Sequence, residues 1–350
     1  MTSGDRYTLN MTWKQKLGHK SVGQMKKSFT VMKELQDRSR KCHEFVRGSL
    51  LSEKIENVTL QKALKHYFSY WNDFSHPGLF SIASQAVGLG PDSMLQPQAA
   101  IAMMAAAFDI HDDIVDKSQA KHGYPTVYGK FGENIALLLG NAFLTDGFTL
   151  LGNEASKLPA ERARAIFKII KNSLFEVGNA HALELDLRGR YDVPPEKYLQ
   201  ILEMKSASIE ADMHIAALFG TGNKAKAEDM KKYGRALGTL ATLREEFIDV
   251  FEPDELNQRV QREALPIPVV YALQDAQASV RIRKLLKKKK LTTGDTDKLV
   301  SIIFDSKPLG ILKEYMTNLV AESCSHLSGL DDNRSKALLE NLSMAMLENL

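Results

Sequence analysis

The segment FDIHDDIVDKSQAKHGYPTVYGKFG, residues 108–132, carries the densest set of reactive side chains in the chain. On a helix, residues four apart share a face, so Asp112 and Asp116 point together while Asp109 and Asp113 stand one turn earlier. Like charges at that spacing repel, and acids near a helix C-terminus oppose its dipole. A compensating cation is therefore expected. Two hard carboxylates one turn apart suit Mg²⁺ held jointly with a phosphate-bearing substrate. A second acidic group, Glu245, Glu246 and Asp249 within REEFIDVFEPDEL (244–256), repeats the spacing of Asp112, Asp113 and Asp116. Two helices that each end an apolar run with such a group could face one another across a cavity and share metal ions. Other chemistries find no support: the chain has no Gly-x-Ser-x-Gly turn, no glycine-rich phosphate loop and no Cys/His metal spacing.

The elements that must position these acids read as helices. Apolar residues recur at helical spacing over 60–71, 96–117, 133–151, 158–188, 195–219, 225–251, 266–288, 295–305, 308–329 and 332–350. Breaks fall at SHPG (75–78), GLGPD (88–92), KHGYPT (121–126), YDVPPE (191–196) and GTGNK (220–224). Asp192 before Pro194-Pro195 reads as a helix start, and Thr292, Thr293 and Asp295 offer N-caps. Strand-like alternation is absent. About a dozen helices joined by short loops predict one all-α domain over 56–350, preceded by a basic helical extension over 1–55. The lysine-rich run at 281–290 reads as a solvated helix end.

Composition narrows the class further. The 350 residues hold 46 Lys+Arg against 43 Asp+Glu, and a net charge of +3 does not argue for a nucleic-acid protein. Only Cys42 and Cys324 are present, which excludes a disulfide framework and predicts a reducing, cytoplasmic setting. The apolar stretches 99–108 and 135–144 fall short of the ~20 residues of a spanning helix, so no transmembrane segment is expected.

With these residues in place the chain resembles the trans-isoprenyl diphosphate synthases, the polyprenyl synthetase family. DDIVD at 112–116 resembles the first aspartate-rich motif, and Gly123-Tyr-Pro-Thr126 follows at the family's offset. GNAFL at 140–144, Lys205-Ser206, EEFID at 245–249 preceded by Gly238, and ALPIP at 264–268 resemble later family segments. The resemblance implies a single-domain helical bundle of the isoprenoid synthase type with a central cavity. It implies three Mg²⁺ ions bridging the acidic motifs to an allylic prenyl diphosphate, which ionises and condenses with isopentenyl diphosphate. Asp112 and Asp116 would then hold two ions, Asp249 with Glu245 the third, with Asp113 completing the first motif. Lys205 would pair with the diphosphate, Lys121 and His122 would stand at the family's paired arginines, and Arg262 near another phosphate-binding lysine. Phe108 would floor the hydrocarbon pocket. A homodimer, or a heterodimer with a paralogue, is expected on the same ground.

The departures define the alternatives. Anchored on Pro77, the chain has Asp73, Phe74 and His76 where the family's isopentenyl diphosphate site has Lys, Arg and Arg. Ala105 replaces a histidine and His122 the second arginine. Charge-assisted phosphate contacts contribute about 1.5–3 kcal/mol each. Losing several leaves three readings: a prenyltransferase with a rebuilt site, an enzyme that ionises allylic diphosphates without isopentenyl diphosphate, or a non-catalytic subunit regulating an active synthase.

Overall fold

The computed structural model describes residues 22–90, 93–121 and 123–348. Among them, α1 (Val22–Ser52), α2 (Val58–Tyr70), α3 (Ser75–Ala86) and α4 (Leu95–Val115) precede a two-residue antiparallel ladder, β1 (Ala120–Lys121) with β2 (Tyr124–Pro125). There follow α5 (Val127–Phe131), α6 (Glu133–Ala155), α7 (Ala160–Leu185), α8 (Pro195–Lys205), α9 (Ala207–Gly220), α10 (Lys224–Phe251) and α11 (Pro253–Arg262). The chain closes with α12 (Ile267–Ala272), α13 (Ala276–Leu286), α14 (Thr293–Phe304), α15 (Lys307–Ser325) and α16 (Arg334–Ala345). The all-α expectation holds.

Small residues set the closest helix approaches. α4 is alanine-rich and buried along most of its length, and it lies against α6 where a Cβ on Gly140 would come within 2.4 Å of His111 Nε2. α10 runs through the middle with Leu237, Leu240, Leu243, Phe247 and Val250 buried. Its Gly238 seats on Ser206, where a Cβ would approach that side chain to 2.8 Å. α1 packs against α3, α4 and α16 and contributes Val31, Leu35, Cys42, Val46 and Leu50 to the same apolar clusters as helices further along the chain. Residues 1–21 of the extension drawn over 1–55 lie outside the described residues; from Val31 to Leu50 the chain packs with the helices that follow it.

Several expected boundaries differ, each for a local reason. The helix read over 195–219 breaks at Ser206, which ends α8 and starts α9; its Oγ donates to the Glu203 carbonyl at 2.5 Å instead of extending one helix. The helix read over 266–288 is two, because Asp275 caps the amides of Gln277 and Ala278 at 2.9 Å and opens α13. The SHPG break is in fact the first turn of α3. Asp73 Oδ1 accepts from Ser75 N at 2.9 Å, and a proline in a first turn lacks only an N–H with no helical partner. α11, not anticipated, begins on Pro253 for the same reason. The small ladder has no sequence alternation behind it; Gly123, at φ +81°, makes the reversal. Thr292 and Asp295 form the expected N-terminal cap as a reciprocal box.

Candidate active site

α4 stops on its acidic motif. Lys117 takes a left-handed conformation (φ 54°), and Ser118 N–H donates to the Asp113 carbonyl at 2.9 Å, a helix stop in which lysine stands where glycine is usual. The chain then turns through the ladder and carries Lys121 back over α4. Its Nζ lies 2.9 Å from Asp109 Oδ1 and 2.8 Å from Asp113 Oδ1. Asp113 is 1% exposed, and burial lifts its carboxyl to about 7 while Lys121 pulls the other way. The four aspartates therefore divide: Asp109 and Asp113 hold Lys121, and Asp112 and Asp116 face a cleft.

That cleft, about 200 Å³, lies between the end of α4, the end of α7, the end of α8 and α11. Asp112 Oδ1 is 3.0 Å from His181 Nδ1, and Asp116 Oδ1 accepts from Arg188 Nη2 at 2.9 Å. Burial raises the Asp112 carboxyl, but His181, Lys121 and Lys205 together bring it below its ordinary value. Asp116 lies above its own, through burial and the Asp112 charge, with Arg188 opposing. Lys205, the last residue of α8, reaches into the cleft and pairs with Glu184, which also accepts from Tyr198 Oη at 3.1 Å. Burial disfavours the Lys205 ammonium, yet Glu184 holds it charged above the ordinary lysine value.

The second acidic group is organised by a buried arginine. Arg259 Nη2 donates to Glu246 Oε1 at 2.7 Å and to Tyr198 Oη at 2.8 Å, Nη1 to Asp249 Oδ2 at 2.8 Å, and Nε to the Ala264 carbonyl at 2.9 Å. Glu246 additionally accepts the Ile267 amide at 2.8 Å, pinning the start of α12. Burial lifts Asp249 to about 8; Arg259 opposes this, but one guanidinium serves Glu246 and Asp249 together.

The structure gathers Asp112, Asp116, Lys121 and Lys205 on one cleft. Asp113 lies behind it, and Phe108, one turn before Asp112, is 36% exposed outside its lining. Glu245 is exposed on α10 and Arg262 is exposed at the end of α11, neither on the cleft. His122 lies outside the described residues. Sequence reasoning missed His181, Glu184, Arg188 and Arg259, although 181, 184 and 188 fall at helical spacing. Among the described residues no three carboxylate, imidazole or thiol side chains converge as a ready-made metal cage. Asp112 and Asp116 nonetheless fit Mg²⁺, which takes one or two carboxylates and completes its octahedron with water and substrate phosphate. Glu246 and Asp249 do not fit: one is buried on three partners and the other is held by Arg259, while Glu245 lies outside the cleft lining.

The positions where the resemblance implies a second cationic cluster serve packing instead. Asp73 caps α3, His43 stacks on Trp71 (4.1 Å) and Phe74 (5.0 Å) and contacts the Asp73 carbonyl at 2.6 Å, and Ala105 is partly buried within α4. His76 Nδ1 pairs with Asp212 Oδ2 at 2.5 Å, joining α3 to α9. Burial disfavours the imidazolium, but Asp212 and Asp73 outweigh it and lift His76 to about 9. A raised folded-state pKa gives stability that is complete below the unfolded value of 6.5 and lost as pH rises through about 9. The His76→Gln variant is therefore expected to be less stable than the parent by about 1–3 kcal/mol at pH 6, with the gap closing by pH 10. Urea unfolding at both pH values measures it, and a gap that does not depend on pH would rule the charged pair out.

The comparisons agree with this architecture. The family model for polyprenyl synthetase matches residues 58–303. A short chain isoprenyl diphosphate synthase of Methanothermobacter thermautotrophicus is 26% identical over 318 residues, 89% of this chain and 94% of that protein. A geranylgeranyl diphosphate synthase of Methanosarcina mazei is 26% identical over 82% of this chain and 89% of its own length. Among solved structures, the geranylgeranyl pyrophosphate synthetase of Pyrococcus horikoshii superposes with a TM-score of 0.80 at 19% identity, over 93% of this chain and all of that one, which speaks for the fold. A family match across most of the chain, on a helical bundle whose acidic α4 terminus faces Lys205, places this protein in the polyprenyl synthetase family.

Proposed function

We propose that the chain is a Mg²⁺-dependent prenyltransferase of isoprenoid biosynthesis that ionises an allylic prenyl diphosphate and condenses it with isopentenyl diphosphate. The observation that carries this reading is the charge of the cleft. Asp112, Asp116, Glu184, Glu255 and Glu263 are set against Lys121, Arg188, Lys205 and Arg259, so the lining is close to balanced. A diphosphate entering a balanced cleft needs added positive charge. Mg²⁺ between Asp112, Asp116 and the diphosphate would neutralise the leaving group as the allylic C–O bond breaks. The chain's own part is to hold that group: Lys205 exchanges Glu184 for a phosphate oxygen, and Lys121 supplies a point charge from the ladder. Asp112 and Asp116 suit two of the three expected ions, whereas exposed Glu245 and Arg259-bound Asp249 do not suit a third.

The Lys205→Ala variant is expected to raise KM for the allylic diphosphate on the order of 10-fold or more, the loss of one charge-assisted contact. An unchanged KM in steady-state kinetics would remove Lys205 from the diphosphate. The reading as a whole is tested by incubating the protein with Mg²⁺ and geranyl, farnesyl or geranylgeranyl diphosphate, with and without isopentenyl diphosphate. Chain-extended products that require both substrates support it; no turnover, alone or with an active paralogue, overturns it. Ionisation without condensation is the second reading, favoured by the use of Asp73 and His76 in packing. Diphosphate release from the allylic substrate alone would select it.

A dimer, with itself or with a paralogue, is proposed from α6 and α7. Leu138 is 56% and Phe175 74% exposed, and α6 alone among the described residues is long and apolar enough to cross a membrane. Its Gly140 and Gly147 pack into α4, so a protein partner covering the exposed leucines is the occupant we favour. A cytoplasmic setting is proposed from the two free cysteines, Cys42 being buried.

A further inference from the structure

We infer that Arg259 is a resident replacement for one cation of the family's metal cluster, so that this chain gathers divalent ions at Asp112 and Asp116 alone. The inference rests on the diphosphate-binding reading above. Arg259 lines the cleft beside Lys205 and Glu184, whereas Glu246 and Asp249 lie behind it and do not line the cleft. Four hydrogen bonds fix the guanidinium, two of them to those carboxylates at 2.7 and 2.8 Å. Glu263 Oε2 adds a further contact at 3.5 Å from Nε.

A divalent ion would have to displace this group to reach Asp249. Mg²⁺ requires octahedral oxygen ligands and sheds water reluctantly, and arginine stays protonated throughout the accessible pH range. The two cations would therefore compete for the same oxygens and repel one another within a cluster from which water is largely excluded. Glu246 has less freedom still, because its second oxygen holds the Ile267 amide and its loss would free the start of α12. Of the five guanidinium N–H groups, the four bonds above leave one on Nη1. Standing in the cleft wall, the guanidinium brings a fixed positive charge to a phosphate entering there, the service a bound ion would give without any dependence on metal concentration.

The test counts ions. The full chain, saturated with inorganic pyrophosphate, is titrated with Mn²⁺ and the bound metal is read by electron paramagnetic resonance. The expected stoichiometry is about two Mn²⁺ per chain, the number a pair of carboxylates and a diphosphate can share. Asp249→Asn is expected to leave that number unchanged, and Asp112→Asn to lower it. Arg259→Gln, where it folds, is expected to admit one further ion. About three ions in the parent, one of them lost in Asp249→Asn, would overturn the inference while leaving the diphosphate-binding reading intact. No Mn²⁺ bound with pyrophosphate present would overturn that reading and the inference with it.

Discussion

Replacing Asp112 by Asn is expected to lower kcat/KM for an allylic diphosphate with Mg²⁺ on the order of 10³-fold, about 4 kcal/mol of transition-state stabilisation. The change keeps the size of the side chain and an oxygen toward His181, 3.0 Å away. It removes the charge that would make the position a hard-ion ligand, one of only two such charges that α4 presents to the cleft. Folding stability should move by less than about 1 kcal/mol, since Asp112 and His181 are each one-third exposed. Asp113→Asn gives the contrast. Its carboxylate is buried on Lys121 and faces away from the cleft lining, so that variant should lose stability, by about 1–3 kcal/mol, ahead of turnover. Steady-state kinetics and urea unfolding on both variants separate the two roles. An Asp112→Asn protein with undiminished kcat/KM would remove the metal-binding role assigned to the motif.

How much of this was legible in the sequence differs from residue to residue. Asp112 and Asp116 are readable because helical spacing alone puts them together, and a helix C-terminus leaves them in want of a cation. The choice between Arg259 and Arg262 is harder. α11 is polar nearly throughout, and among its residues only Leu256 is a deeply buried apolar side chain. Leu256 and partly buried Val260 define its inward face, and at 100° per residue 259 and 263 share that face while 262 does not. A resemblance by offset selects Arg262; the helix period selects Arg259. The breaks at Ser206 and Asp275 were obscured by apolar periodicity that continues across them, since the side-chain bonds that end each helix are local polar events. Conversely, SHPG looked like a break because Pro and Gly interrupt most helices, yet a cap from Asp73 makes it a helix start. The sequence could show that Asp73 and His76 lack the cations expected there, but not that His76 finds Asp212, which lies 136 residues away.

Glu246→Ala should cost about 3–5 kcal/mol of folding stability, the range for removing one partner of a buried ion pair. Three groups lose their acceptor at once. Arg259 keeps Asp249 at 2.8 Å but loses its 2.7 Å partner; Tyr198 loses an acceptor beside Glu184; and the Ile267 amide, buried at the first turn of α12, is orphaned. An unsatisfied buried N–H and an under-compensated guanidinium both carry desolvation costs that no other described contact offsets. Glu246→Gln retains one carbonyl oxygen, for either Arg259 or the Ile267 amide, and turns an NH2 donor toward the other. It fills the space and keeps one acceptor, so it should lose less than Ala, about 1–3 kcal/mol. The order Ala worse than Gln, read from urea midpoints at constant slope, distinguishes a clamp from a ligand. If Glu246 were a metal ligand in place of a clamp, both variants would keep their unfolding midpoints and lose turnover instead. A Glu246→Ala midpoint within about 1 kcal/mol of the parent would therefore overturn the structural role and return the second acidic group to metal binding.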